Sequence, residues 1–572
     1  MRGLINIMRR IAMNQKRAAI SFLSLLLVVC LMFACAGGID WSFVRETNVE
    51  DPKEKVIFEG IGYAKEDSSE EVADKFNEKN ANKTTLVLQL NNVYDQEMVC
   101  SDEDISLEEA QALLKEQREN VKAYYSETNP LLFDELDLSA FDLEFEVDTY
   151  SPYVYAEYED KLTEKDVEDI YVLAENEKIN RIYVQSLTKP EEELDDAFEV
   201  INGEQIAQTY DVDGSGIVIG ILEVYVVDAD NAIFENVDVT VRQLEGYMDE
   251  GLNHPLAVAV SALKVAPGAS ILSASMESGI IGSVSWMLDN GVNIINMSFA
   301  YNNVENGTYT MYSGYCDYIA RYCGVVFTGS AGNEAETHLV TSPNGYNTLT
   351  VGACNNAGER RASSSYIESF TINFPRLVAP GEYLYIPAYG YGSGTSFAAP
   401  LVAGAVALMM EKSPSLVTAP HIVMALIMAT TQRIDQYAVN TGFNNEVGTG
   451  LLDVYDAVRW TSNRQNFIVS EDQVGEFVST RHIYVQEGQR IRVAFVSLVN
   501  SDMSPDTERV TDYDLYLYND SGSVKRASTT LFNNEFVDFV AEYTGYYAIK
   551  IKQYSAKKTD IDDYCAYAWH IE

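Results

Sequence analysis

"YGSGTSFAAPLVAGAVALMM", Tyr391–Met410, sets a hydroxyl residue, Ser396, directly before a run of Ala, Leu, Val and Met. Gly404 and Pro400 alone interrupt that run, so it reads as a buried helix. Proline fits only in a first turn, which starts the helix close to Ser396. A serine there stands at the positive end of the helix dipole, beside unpaired backbone N–H groups. Two readings follow: a helix cap, the commonest use of such a serine, or a nucleophile with anion-stabilising donors built into its own helix.

The strands around this helix set the fold class. From Gly214 onward, apolar segments alternate with helical ones: "GIVIGILE", "ASILSASM", "VNIINMSFA", "GVVFTGS", "TLTVGAC" and "RLVAPG". Strands that are apolar throughout predict a parallel sheet covered by helices on both faces. Near Asn466 the pattern changes to short alternating strands, among them "HIYVQ", "RIRVAFVSL", "YDLYLYN" and "GYYAIKIKQ", separated by turns such as "NDSG". That pattern predicts an all-β sandwich over 466–572. Upstream, "TLVLQL", "SLEEAQALLKEQRENVKAYYSE", "FEVDTYSPYVYAEYE", "TEKDVEDIYVLAENE" and "RIYVQS" spell β-α-β-β-α-β, a ferredoxin-like α+β unit over 84–187. Residues 37–83 read as a polar, irregular extension, and 188–202, with "KPEEELDD", as an exposed acidic linker.

Length and charge are consistent with this division. A chain of 572 residues exceeds one ordinary core. Arg2, Arg9, Arg10, Lys16 and Arg17 precede the first acidic residue, Asp40, and flank the apolar "AAISFLSLLLVVCLMFACA". Residues 1–36 therefore read as an export segment: a signal peptide cut after Ala36, a lipidated Cys35, or an uncleaved anchor. The chain carries 86 Asp and Glu against 40 Lys and Arg, a net charge of −46. Residues 41–200 contribute 43 acids and 15 bases to that total. Phosphate backbones and anionic lipid would repel such a surface, so nucleic acid is excluded as a partner, and a membrane is met only through the N-terminal segment. Seven scattered cysteines form no disulfide framework. Cys316 and Cys323 lie seven apart on one helix, too far to bridge.

If Ser396 is a nucleophile, an imidazole must take its proton and an acid must orient that imidazole. Of five histidines, His254 has the suitable neighbourhood: in "GLNHPLAVAVSALKVAPG", Asn253 can cap a short apolar helix that begins at His254. Read in isolation, it would be a surface histidine in a capping turn. In "GVVFTGSAGNE" a strand runs out into Asn333, at the carboxyl end of a strand, where open α/β sheets place their ligands. A side-chain amide there can donate to a developing oxyanion.

These pieces together resemble the subtilisin-like serine protease family, over roughly Gly203 to Trp460. The motif Gly394-Thr395-Ser396-x-Ala398-x-Pro400-x-Val402-Ala403-Gly404 carries the resemblance. Asn253-His254, Val265-Ala266-Pro267-Gly268, Ile295-Asn296-Met297-Ser298, Ala331-Gly332-Asn333 and Val378-Ala379-Pro380-Gly381 support it. It implies a peptidase domain over 203–462 with Ser396 as nucleophile, His254 as general base and Asn333 as oxyanion donor. Ser298, Phe299 and Ala300 would pair with a peptide or protein substrate as an added strand. The acidic β-α-β-β-α-β unit resembles the family's inhibitory propeptide, which implies an intramolecular inhibitor. The C-terminal strands resemble the accessory sandwich of secreted bacterial peptidases.

Three departures from the family's pattern stand out. Glu223, nine residues after Gly214, occupies the place of its first-strand Asp, and Val224-Tyr225 follow where small residues are usual; Asp228 and Asp230 lie further on as alternatives. Pro255-Leu256-Ala257 replaces Gly-Thr-His after His254. No calcium loop fits before Val265; calcium remains compatible with the chain but no site is identifiable, no other metal is implied, and no cofactor is expected. The expectation is an exported serine endopeptidase, extracellular or anchored at the cell surface, using Glu223, His254 and Ser396. The rival reading is a pseudo-protease that binds peptides or partners. A third reading is a surface adhesion protein acting through its sandwich.

Overall fold

The computed structural model describes residues 55–58, 68–79, 84–92, 94, 105–158, 161–186, 198–242, 254–276, 279–299, 309–335, 345–355, 357–367, 374–382, 384–439, 441–470, 473–500, 510–556 and 562–572. The export segment 1–36 and most of the acidic linker lie outside them. At the centre is a seven-stranded sheet in the order Leu377–Pro380, Thr348–Cys354, Val326–Ser330, Ile294–Met297, Val218–Glu223, Ser270–Ser275, Val239–Val241. Every neighbouring pair is parallel. The inner strands are buried on both faces, as their unbroken apolar sequences require. The helix Thr395–Lys412 is buried from Thr395 to Met410. It packs on one face of the sheet together with His254–Val265 and Pro420–Thr430. Ile280–Asp289 and Met311–Cys323 cover the other face.

The N-terminal region contains the expected β-α-β-β-α-β order. Its strands are Thr84–Leu90, Glu146–Val147, Tyr153–Tyr158 and Ile179–Ser186, and its helices are Leu107–Phe133 and Glu164–Leu173. Two further elements precede it, where an irregular extension is expected. The strand Val56–Phe58 adds in parallel beside Ile179–Ser186, and the helix Ser69–Lys79 packs beneath the sheet. The cause is an apolar stripe one turn long: Val72, Ala73 and Phe76 enter the same core as Val56 and Phe58.

The region also holds the rest of the chain through buried polar contacts. Arg118 donates through Nε to the Cys323 carbonyl (2.9 Å) and through Nη2 to the Val292 carbonyl (2.6 Å), while Gln117 Nε2 donates to the Tyr322 carbonyl (2.6 Å). Two of these bonds satisfy the Tyr322 and Cys323 carbonyls at the end of Met311–Cys323, where helix carbonyls have no N–H donors of their own and the dipole is negative. Alongside, Tyr125 and Tyr318 share a hydroxyl–hydroxyl hydrogen bond of 2.5 Å.

The C-terminal strands form two four-stranded antiparallel sheets around a common core of Val493, Phe495, Leu515, Tyr547 and Trp569. Lys55–Glu572 is one compact unit, and the seam between sandwich and central layer is rich in buried arginine. Arg321 Nη1 donates to the Leu498 carbonyl (3.0 Å), Arg376 Nη2 to Asn533 Oδ1 (3.4 Å), and Arg492 Nη2 to Thr431 Oγ1 (3.0 Å) and the Thr449 carbonyl (2.5 Å). Buried Asp538 gathers Arg433 (2.9 Å), Arg490 (2.6 Å) and Arg492 (3.7 Å). Cys316, Cys323, Cys354 and Cys565 are buried and free. Among the described residues no helix is long and apolar enough to cross a membrane, and no group of three His, Cys, Asp or Glu could hold a metal ion.

Two stability predictions follow from the seam and the buried acids. Removing one partner of a buried charge cluster leaves the others uncompensated, at a cost of about 3–5 kcal/mol. Asp538→Asn should lower the urea midpoint accordingly. Asp435→Asn, at an exposed contact to the same Arg433, should leave the midpoint nearly unchanged. Equal effects would show that the seam contributes nothing special.

Among the described residues burial raises several carboxyls, including Asp148, Asp453 and Asp512 to about 6, Asp317 to about 7 and Glu535 to about 8. The folded chain thus holds protons that the unfolded chain releases. Their stabilising contribution is complete below the unfolded values and is lost as pH rises through 6–8. Unfolding midpoints should therefore fall between pH 5 and pH 8, and Glu535→Gln should flatten the part nearest pH 8.

Candidate active site

Glu223 is the last residue of Val218–Glu223 and is fully buried. The turn after it is pinned by the neighbouring strand: Ser275 Oγ donates to the Val224 carbonyl (2.5 Å), and the Val227 N–H donates to Ser273 Oγ (2.9 Å). Glu223 Oε1 accepts the Ser298 N–H at 2.9 Å, and Oε2 lies 3.1 Å from His254 Nδ1. Asp228 and Asp230 are exposed, and the Asp230 N–H closes a local turn on Asp228 Oδ1 (3.1 Å). Of the three acids considered, Glu223 is the one that meets the imidazole.

His254 opens the helix His254–Val265, with Pro255 in its first turn. Its ring stands edge-on to Phe397, the residue after Ser396, with centroids 5.4 Å apart. The two helices meet at Gly404. A Cβ there would lie 2.6 Å from the Ala262 carbonyl oxygen and 2.6 Å from Val265 Cβ. Glycine lets the two backbones touch, which sets the imidazole and the hydroxyl on adjoining first turns.

Ser396 is the second residue of its helix. The cap position belongs to Gly394, which makes no side-chain cap bond. The capping bond comes from elsewhere: Asn333 Oδ1 accepts the Thr395 N–H at 2.9 Å, and Thr395 Oγ1 accepts the Gly332 N–H at 2.9 Å. The Asn333 amide lies against Gly394: a Cβ there would be 3.3 Å from Nδ2 and 3.5 Å from Oδ1. With Oδ1 taking the Thr395 N–H at the start of the Ser396 helix, the donor Nδ2 is not used in that bond.

Ser298 sits deeper than its expected place along a substrate. Its N–H is taken by Glu223, and its Oγ donates to the Ser396 carbonyl at 2.7 Å. Pro400 explains the second bond. In a regular helix the carbonyl of residue 396 accepts from the N–H of residue 400, and proline has none. The Ser298 hydroxyl supplies the missing donor. This role was legible in principle, because a proline four residues after Ser396 demands an outside partner for its carbonyl. Phe299 is buried beside it, and Ala300 lies outside the described residues. A substrate strand along this edge cannot use the Ser298 N–H.

An acid, an imidazole, a helix-borne hydroxyl and an amide donor at the carboxyl ends of parallel strands define the class of serine hydrolases built on an open α/β sheet. Residues 248–450 match the model of the peptidase S8 family, the subtilase family. Over those residues the chain is subtilisin-like. Subtilisin NAT of Bacillus subtilis subsp. natto is 29% identical over 216 residues, which are 35% of this chain and 52% of that protein. Alkaline elastase YaB of Bacillus sp. (strain YaB) is 27% identical over 281 residues, 44% of this chain and 68% of that protein. The chain thus spans about half the length of the first of these relatives. Among solved structures, fervidolysin from Fervidobacterium pennivorans, described as a keratinolytic enzyme related to subtilisin, has a TM-score of 0.45 at 15% identity and covers 84% of this chain and 70% of that one.

The contact between Ser298 and Ser396 generates a coupling prediction. Ser298→Ala leaves the Ser396 carbonyl without a donor and should cost about 1–3 kcal/mol in stability. Pro400→Ala restores an N–H four residues on. In that background Ser298→Ala should cost clearly less, as a double-mutant cycle on unfolding free energies would report. Additive effects would separate the two residues.

Proposed function

We propose that this chain is an exported serine endopeptidase that hydrolyses peptide bonds through an acyl-enzyme at Ser396. The observation that carries the reading is the buried Glu223 carboxylate, which holds His254 Nδ1 with one oxygen and the Ser298 N–H with the other. With Nδ1 donating to the acid, Nε2 is the basic nitrogen of the neutral ring. It takes the Ser396 proton as Oγ bonds to the scissile carbonyl carbon, and the imidazolium faces a fixed negative charge. Asn333 Nδ2 donates to the oxyanion. The protonated imidazole passes its proton to the leaving amine as the C–N bond breaks. A water then reverses the sequence, bonding to the acyl carbon and returning the proton to Ser396.

Glu223 reaches the imidazole on a side chain one methylene longer than aspartate, and the pinned turn at Val224 accommodates that length. Residues 55–186 act in this reading as an inhibitory propeptide, separated from the peptidase by self-cleavage within the acidic linker. The sandwich serves as an accessory layer, and peptides or proteins are the substrates.

An active-serine phosphonate should label the wild-type chain and leave Ser396→Ala unlabelled and unprocessed. On an unspecific peptide, Glu223→Gln should lower kcat/KM by up to about 10⁴-fold through loss of the orienting charge. Glu223→Asp should lower it by about a hundredfold, the cost of roughly 1 Å of misplacement. Full activity in Glu223→Gln would remove the acid from the mechanism. An unlabelled wild-type chain would favour a peptide-binding pseudo-protease.

A further inference from the structure

A second site lies at the far end of the Ser396 helix. A cavity of about 490 Å³ opens where Thr395–Lys412 ends, between the helix Val454–Arg459 and the first sandwich strand, Arg464–Val469. Lys412, Arg459 and Arg464 line it, with Ser413, Ser462 and Asn466. No carboxylate is among the described residues of its lining, in a chain where acids outnumber bases 86 to 40.

Aromatic rings, hydroxyls and a backbone carbonyl contact these cations. Lys412 Nζ lies 4.8 Å from the centre of the Tyr210 ring, and the Arg459 guanidinium lies 4.9 Å over Trp460. Arg464 donates to Ser413 Oγ (3.0 Å), Ser415 Oγ (2.7 Å) and the Thr461 carbonyl (2.8 Å). The carboxylate beside Arg459, Asp456 at 3.7 Å, already receives His570 Nε2 (2.9 Å) and Trp460 Nε1 (3.2 Å). Aromatic faces and hydroxyls position these cations, and the carboxylate of Asp456 is divided among Arg459, His570 and Trp460. Two guanidinium forks, an ammonium and hydroxyl donors around one hollow form the donor set that recognises oxyanions.

We propose that this cavity binds a small, multiply charged oxyanion, a phosphate- or carboxylate-bearing molecule, at the junction of the central layer and the sandwich. The site is independent of the peptidase reading, and it would tie the end of the Ser396 helix to the sandwich. The test uses the full chain carrying Ser396→Ala, so that self-digestion plays no part, with inorganic phosphate and citrate as probes against chloride at equal ionic strength. Tm should rise saturably with at least one probe, by about 2–3 °C at a hundred times its Kd. The better probe identifies the headgroup, and equilibrium dialysis should count one ion per chain.

Lys412→Gln with Arg459→Gln should abolish the shift. Ser462→Glu, which adds a carboxylate at the exposed rim and removes no cation, should weaken binding at least tenfold. A rise no larger than that in chloride, or an equal rise in both variants, overturns the proposal.

Discussion

One buried carboxylate organises the centre of this molecule. Glu223 has no exposure to water, so both of its oxygens need donors, and they find them on two different elements: the ring of His254 and the backbone of Ser298. Ser298 passes the constraint on through its hydroxyl to the Ser396 carbonyl. Sheet, His254 helix and Ser396 helix are thus joined through a single anion and one serine. The close approach at Gly404 makes the arrangement sterically possible. A longer acid fits because the following turn is tied to the next strand, so the carboxylate is set from the backbone outward.

The layers outside the sheet are attached by a different kind of contact. The N-terminal region reaches the helix Met311–Cys323 with Arg118 and Gln117, and the central layer and the sandwich are joined by Arg321 of the one and Arg492 of the other. In each case long side chains cross a seam to end on backbone carbonyls. Such bonds are directional and cannot be satisfied by a neighbour of slightly different shape. They specify how the layers meet more sharply than apolar contact alone would.

The chemistry of the site was more legible than its support. Apolar strands alternating with helices disclose the parallel sheet, and motif and order single out Ser396, His254, Asn333 and Glu223 as candidates. The helix Ser69–Lys79 was hidden because Val72, Ala73 and Phe76 make a stripe one turn long among acids, too short for periodicity to stand out. Asn333 as the cap of another helix is a long-range contact with no local signature. The place of Ser298 after a strand is visible in the sequence, whereas its hydrogen bonds to Glu223 and Ser396 depend on where three separate segments converge. The seam arginines look like ordinary surface charges until the sandwich is laid against the sheet.

The free cysteines carry a consequence for the life of the molecule. Burial raises the thiols of Cys316, Cys354 and Cys565 far above their ordinary range and pushes Cys323 up to about 12. While the chain is folded they remain protonated and shielded, inert to oxidants even where no reductant is present. Unfolding exposes four ordinary thiols at once, and in an oxidising medium they cross-link or oxidise before the chain can recover. Denaturation there would act as a ratchet. The persistence of the molecule is then governed by how slowly it opens rather than by how favourably it closes.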